Sequence, residues 1–509
     1  MKSKKTAKHL LILGTASHVG KSAVVTAICN ILSKDYKVAP FKAQNMSLNS
    51  WITKDGKEIG IAQAIQAKAA GIEPTVDMNP VLLKPKSDRM SQVIILGEPY
   101  ADKTAGDYYE SIDMMHDILR GSLERLGKEY DIIVMEGAGG AAEINLYDRD
   151  IVNIGTARLT DAPIILVGDI ERGGVFASLY GTIELLPADV RANVRGFIIN
   201  KFRGDPAILE SGLREIEERT GIPVLGVLPY FDIKIPSEDS LSIEDKSKSK
   251  SKSKPKSKSK SNSKSDISEC NDDVEIAVIR FPRISNFTDF EPLENMARVR
   301  YVELGDELGE PDAIILPGTK NTISDLRDLK KSGMDVRIKE LYGKVPIIGI
   351  CGGYQMLGKT IIDSGVEDGR VAQFEGLGLL DVATTFDAYE KKTVQVTKTV
   401  TGSGAILESI KGETISGYEI HMGSTESCTP VFGDDGCIDE SGLVIGTYLH
   451  GLFENDNVRR ALISNLYERK GIEYKHQAAY SELDAYEELA DVVRKNVDMK
   501  RVFEIIGID

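Results

Sequence analysis

The chain has 509 residues, 41% of them hydrophobic, and a formal net charge of −15. That length supports two ordinary domains with full cores, and the acidic balance argues against nucleic acid or an anionic membrane surface as a partner. No stretch approaches an apolar 20-mer, and Cys29, Cys270, Cys351, Cys428 and Cys437 form no C-x-x-C pair. A membrane span, a disulfide framework and a zinc site are therefore not expected, and a soluble cytoplasmic protein is.

The first element is an apolar strand, Leu10–Leu13, that runs into Gly14-Thr-Ala-Ser-His-Val-Gly-Lys-Ser22. A Gly-bounded loop ending in Lys-Ser at a helix start is a phosphate cradle. Its backbone N–H groups meet a polyphosphate, Lys21 adds a full charge, and the Ser22 hydroxyl suits Mg²⁺. The first glycine is Gly14, and Thr15 stands where the common pattern has it. Further buried strands are expected at Val38–Phe41, Ile132–Met135, Ile164–Val167, Gly196–Ile199 and Val224–Val227, alternating with helices as in a parallel sheet covered on both faces. Their polar loops, Lys42-Ala-Gln-Asn45, Glu136-Gly-Ala-Gly-Gly140 and Asn200-Lys-Phe-Arg-Gly204 among them, fall where open α/β sheets bind ligands. Glu136, after a fully apolar strand and before glycines, is placed to hold Mg²⁺ through oxygen.

Residues 246–265 carry nine lysines and no acid or apolar side chain. Such a run has nothing to bury, so 246–270 is expected to be a disordered linker between a first domain, 1–245, and a second, 271–470. The second domain has its own strand–loop alternation. Ala313–Leu316 leads into Pro317-Gly-Thr-Lys-Asn321, and Val345–Ile350 into Cys351-Gly-Gly-Tyr-Gln355. Small residues two before and two after Cys351 fit a sharp strand-to-helix elbow that exposes a nucleophile. A thiol at a helix start favours its thiolate, and backbone N–H groups at Gly352, Gly318 and Thr319 are candidates for an oxyanion hole. For a base, His450 in Leu449-His-Gly451 and His421 in Glu419-Ile-His-Met422 compete; His9, His116 and His476 lie in polar stretches, and His18 lies in the phosphate loop. Residues 471–509 read as a helical tail.

The phosphate loop, Lys42, Glu136-Gly-Ala-Gly-Gly140 and Ile222-Pro-Val-Leu-Gly-Val-Leu-Pro229 resemble the dethiobiotin synthetase-type fold. Pro40-Phe-Lys-Ala-Gln-Asn-Met-Ser-Leu-Asn49, Asp77-Met-Asn-Pro-Val-Leu-Leu-Lys-Pro85, Glu143-Ile-Asn-Leu146 and Arg172-Gly-Gly-Val-Phe-Ala-Ser178 are similar to the cobyric acid synthase family. The resemblance spans nearly the whole chain apart from the Lys/Ser run. It implies an α/β fold: a P-loop parallel-sheet domain followed by an α/β class I glutamine amidotransferase domain. It also implies ATP and Mg²⁺ on Gly14, Thr15, Gly20, Lys21, Ser22 and Glu136, with Asn200 near the adenine. Lys42, Gln44 and Asn45 then face the acceptor, with Gln44-Asn45 standing where relatives place an aspartate. In the second domain the resemblance selects His450 over His421 as partner of Cys351. Leu452 occupies the position of the usual acid, so Cys351–His450 is expected to act as a dyad. The implied reaction is ATP-dependent amidation, with L-glutamine as nitrogen source, of the b, d, e and g carboxylates of a corrinoid, adenosylcobyrinic acid a,c-diamide. The rivals are an a,c-diamide synthase and a P-loop nucleotide switch with an inert second domain.

Overall fold

The computed structural model describes residues 7–87, 90–104, 106, 112–231, 233, 273–426, 429–474 and 482–508. The Lys/Ser run lies outside them. The described residues fall into two compact units, one drawn from Met1–Ser47, Lys57–Pro236 and Tyr480–Asp509, the other from Leu48–Gly56 and Ser237–Ala479.

In the first unit, six strands form one sheet: β1 (Lys8–Gly14), β2 (Val38–Phe41), β3 (Ile132–Glu136), β4 (Ile164–Asp169), β5 (Val194–Phe202) and β6 (Val224–Pro229). All neighbours are parallel, in the order β6-β5-β4-β1-β3-β2. A strand with neighbours on both sides and helices on both faces reads as a continuous apolar run, and Leu10, Leu11, Ile12 and Leu13 are fully buried in β1. The chain fills one side of β1 with β2 and β3 and the other with β4, β5 and β6. The order therefore reverses at β1, which opens a ligand crevice beyond the carboxyl ends there. Helix α1 (Lys21–Leu32) starts in that crevice, and α2 (Ile61–Ala69) lies in the same unit. His9, expected in a solvated stretch, is instead a half-buried member of β1, where burial lowers its pKa against a backbone hydrogen bond with Thr160.

The second unit repeats the logic. Its sheet contains β7 (Glu275–Arg280), β8 (Arg298–Glu303), β9 (Ala313–Leu316), β10 (Ile347–Ile350), β12 (Cys437–Ile438) and β13 (Val444–Thr447), in the order β8-β7-β9-β10-β13-β12. Only the edge strand β12 is antiparallel. A separate antiparallel layer pairs β11 (Thr414–Met422) with β14 (Leu449–His450), placing Tyr418 opposite His450. Helix α3 (Thr322–Ser332) follows β9, and the short helix α4 (Gly352–Leu357) follows β10.

Two segments join the unit that a single cut through the chain would not give them. The helical tail consists of α5 (Glu482–Asn496) and α6 (Met499–Ile506), and both belong to the first unit. There Leu489, Ala490, Val493, Val502 and Ile506 share a buried cluster with Leu10, Ile12, Val24 and Ile28. Conversely, Leu48–Gly56 belongs to the second unit, although the chain on either side of it is in the first.

Candidate functional site

The phosphate loop forms where β1 ends. Thr15 N donates to Val167 O of β4 (3.0 Å), which fixes the loop mouth. Gly20 caps α1 with φ 101°, and a Cβ there would lie 2.0 Å from Asn200 Nδ2. No side chain fits that position. Lys21 is buried, with its ammonium inside the loop donating to Ala16 O (3.0 Å) and Gly139 O (2.8 Å). Asn200 Nδ2 donates to Val19 O (2.9 Å), so the residue expected near the adenine braces the loop itself. Lys201 adds a second brace, donating to His18 O (2.7 Å) and Asp169 (2.8 Å).

Glu136, at the end of β3 and 1% exposed, is the convergence point. Its Oε1 accepts from Ser22 Oγ (2.9 Å) and Lys42 Nζ (3.0 Å), and its Oε2 accepts from Gln66 of α2. A buried ion pair persists only when further hydrogen bonds satisfy it, and here a hydroxyl and an amide do so. The Ser22 hydroxyl and Glu136 carboxylate are adjacent hard oxygen donors at a phosphate cradle, a donor set that suits Mg²⁺, which takes few protein ligands and completes its shell with phosphate and water. Among the described residues, no group of three or more His, Cys, Asp or Glu side chains could hold a metal. Asn45, also buried, donates to Gln63 Oε1 (3.3 Å), and Gln44 begins the short strand Gln44–Met46.

In the second unit, Cys351 sits at φ 51°, ψ −110°, a strained elbow between β10 and α4. The glycine two residues on is dictated by space, since a Cβ at Gly353 would lie 1.9 Å from Leu316 O. The Cys351 thiol is close enough to His450 to raise its pKa, and its Sγ is hydrogen-bonded to Ile420 O (3.5 Å). Gly318, Thr319 and Gly352 gather around the same point. A Cβ on Gly318 would meet His450 Cε1 at 3.1 Å, and one on Gly352 would meet Thr319 N at 3.2 Å. His421 has other partners, with Nδ1 against Gly423 O (3.1 Å) and its ring stacked on Tyr448.

The expected dyad is corrected by Asp289. Its Oδ2 lies 2.7 Å from His450 Nδ1, and its Oδ1 accepts from Gly451 N (3.0 Å). Burial pushes the His450 imidazole down, but the Asp289 carboxylate and Cys351 outweigh it and raise the pKa from 6.5 to about 10. The usual position of the acid, just after the histidine, holds Leu452, and the acid stands instead 161 residues upstream in a 3₁₀ segment, Phe287–Asn295. The available signal was an acid in Phe287-Thr-Asp-Phe290, between two aromatics that are themselves buried. Gln66 and Lys201 were missed for the same reason: each acts on a motif from a distant part of the chain.

Two family models match. Residues 10–242 match the CobQ/CobB/MinD/ParA nucleotide binding domain and 275–458 the CobB/CobQ-like glutamine amidotransferase domain. The chain is 72% identical to a "Probable cobyric acid synthase" of Methanococcoides burtonii, over 99% of this chain and 98% of the relative. It is 70% identical to one of Methanosarcina mazei, over 98% and 99%. The chain belongs to the cobyric acid synthase family. It is accordingly an ATP-dependent, glutamine-hydrolysing amide ligase of cobalamin biosynthesis, and the nucleotide-switch reading is set aside. Among solved structures, PurLQS from Thermotoga maritima is 20% identical with a TM-score of 0.27, covering 38% of this chain and 96% of that one. The phosphate loop and Glu136 lie within the first matched range, and Cys351, Asp289 and His450 within the second. Among the described residues no helix is long and apolar enough to cross a membrane.

Proposed function

We propose that the chain converts the b, d, e and g carboxylates of adenosylcobyrinic acid a,c-diamide to carboxamides, giving adenosylcobyric acid. The observation that carries the reading is the Ser22–Glu136–Lys42 cluster, built on the buried Glu136 and Lys42 at the mouth of a phosphate loop, on the same chain as a hydrogen-bonded His450–Asp289 pair beside Cys351. Protonated His450 stabilises a Cys351 thiolate beside it, and Asp289 fixes which imidazole nitrogen faces the sulfur. The thiolate attacks the glutamine side-chain carbonyl, and backbone N–H groups near Gly352 and Thr319 receive the developing oxyanion. His450 gives its proton to the leaving nitrogen, ammonia departs, and water then hydrolyses the thioester to glutamate.

In the nucleotide-binding unit, Lys21 neutralises charge that develops on the transferred γ-phosphoryl, while Ser22 and Glu136 are the residues that would hold Mg²⁺. Bound there, Mg²⁺ supplies charge neutralisation on the phosphates. Lys42 presents a positive charge where an acceptor carboxylate can be oriented for attack on the phosphorus. The resulting acyl phosphate is opened by ammonia, which forms the carboxamide and releases phosphate. Gln44 and Asn45 offer neutral amide groups on the acceptor side, suited to a substrate already bearing carboxamides.

The test is mass analysis of products after separate incubations of the diamide and of cobyrinic acid with ATP and glutamine. Successive carboxyl-to-carboxamide conversions ending at adenosylcobyric acid are expected. Amidation of cobyrinic acid at the a and c positions, with the diamide left unchanged, would favour the diamide-synthase reading instead.

A further inference from the structure

Leu48–Gly56 is encoded within the nucleotide-binding half but packs in the amidotransferase unit, and its contacts converge on the two neighbours of the catalytic histidine. On one side, Ser50 N donates to Asn286 Oδ1 (3.0 Å), and Asn49 Oδ1 accepts from Phe287 N (3.2 Å). Asn286, in the left-handed region at φ 51°, and Phe287 open the 3₁₀ segment that delivers Asp289 to His450. On the other side, Tyr418 OH donates to Ser50 O (3.1 Å), and the Trp51 ring lies 5.3 Å from that of Tyr418. Tyr418 in turn stacks on His450, with centroids 5.4 Å apart and planes at 17°. Asn49 and Ser50 are each 1% exposed, and Ile52, Tyr418 and Ile420 close a small apolar cluster against Trp51. Downstream, Gln395 Nε2 donates to Ile52 O and Thr393 Oγ1 to Gly56 O, 2.7 Å each, so the segment is anchored along its length.

We infer that Asn49, Ser50 and Trp51 are positioning residues of the glutaminase site: they hold the Asp289-bearing turn and the Tyr418 plane that together set the imidazole of His450. None of the three touches the reacting atoms. The inference rests on reading Cys351 and His450 as the glutaminase pair. Its physical basis is that an imidazole gripped at one nitrogen and along one face keeps its other nitrogen aimed at the sulfur. A misplacement of about 1 Å can cost on the order of 10²-fold in rate.

The test uses the full chain and measures glutamine hydrolysis, ammonium-driven amidation and the pH profile of kcat/KM. Trp51→Ala and Asn49→Ala are each expected to lower the glutaminase kcat by roughly 10- to 100-fold with KM changed by less than about threefold. Their pH profiles should move relative to wild type, because the grip of Asp289 on His450 is loosened. Trp51→Phe, which keeps an aromatic ring against Tyr418, and Asn49→Asp, which keeps an acceptor for Phe287 N, should restore most of the loss. Full activity in both alanine variants would overturn the inference. So would a loss carried by KM alone, a kcat loss with an unmoved pH profile, or an equal loss of ammonium-driven amidation. Cys351→Ala, run alongside, separates the two ideas. If it still hydrolyses glutamine, the site reading fails; if it is inactive while Trp51→Ala and Asn49→Ala are normal, only the positioning role fails.

Discussion

At the residue scale, the pair Asp289–His450 offers the sharpest handle. Replacing Asp289 by Asn preserves shape but removes the charge that sustains the imidazolium, so glutamine hydrolysis is predicted to fall by about 10²–10⁴-fold, the usual range for lost acid–base help. The same change has a stability signature. Because His450 is raised from 6.5 to about 10 on folding, its protonated form contributes stability that is fully present below pH 6.5 and lost as pH rises through about 10. The stability gap between wild type and Asp289→Asn, followed by denaturant unfolding, should therefore be widest near pH 6.5 and shrink toward pH 10. A gap that grows with pH would contradict the assignment. In the other unit, Lys21→Ala and Glu136→Gln are expected to abolish amidation with either glutamine or ammonium salt while glutamine hydrolysis continues. Retained amidation in both would show that Lys21 and Glu136 do not form the ATP site.

At the scale of elements, the glycines around Cys351 follow from packing as much as from chemistry. A methyl at residue 353 would enter the carbonyl of Leu316, and overpacking of that kind typically costs about 1–3 kcal/mol. Gly353→Ala is predicted to destabilise the chain by that amount in denaturant unfolding and to impair Cys351 more than the phosphate site; unchanged stability would mean that the elbow relaxes freely. Elements built on local signals were legible in the sequence. The apolar runs Leu10–Leu13 and Ile132–Met135 are buried strands because a covered parallel sheet demands uninterrupted hydrophobicity, and Gly20-Lys21-Ser22 starts a helix as the phosphate-loop pattern requires. Asp289 was not legible. Neither helical nor strand period links an acid in a 3₁₀ turn to a histidine 161 residues later, and only the tertiary fold brings them together. Gln66 illustrates the same limit, since within α2 it is one more polar side chain until β3 delivers Glu136 beside it.

At the scale of the whole molecule, chain order and spatial membership differ at two places, and both carry consequences. A polar tail with helical spacing looked like an appendage, because periodicity reveals an amphipathic face but not which unit covers it. In the fold, Leu489, Val493, Val502 and Ile506 are buried with strand residues of the first unit. Each fully buried aliphatic side chain contributes roughly 1.5–3 kcal/mol, and the sum is comparable to the ~5–15 kcal/mol net stability of a domain. Deleting residues 482–509 is thus predicted to unfold or aggregate the nucleotide-binding unit, seen as loss of its thermal transition and of ammonium-driven amidation. A truncated chain that melts normally and still amidates would contradict this. The central claim, however, is the division of labour between a thiol site that only releases ammonia and an ATP site that only consumes it. The most direct measurement is amidation by Cys351→Ala, with glutamine and, separately, with high ammonium salt across rising pH. The expected result is no glutamine-driven product and near-normal ammonium-driven product that increases with pH as free ammonia increases. Glutamine-driven product from the variant, or loss of the ammonium-driven reaction in a variant that remains folded, would contradict it.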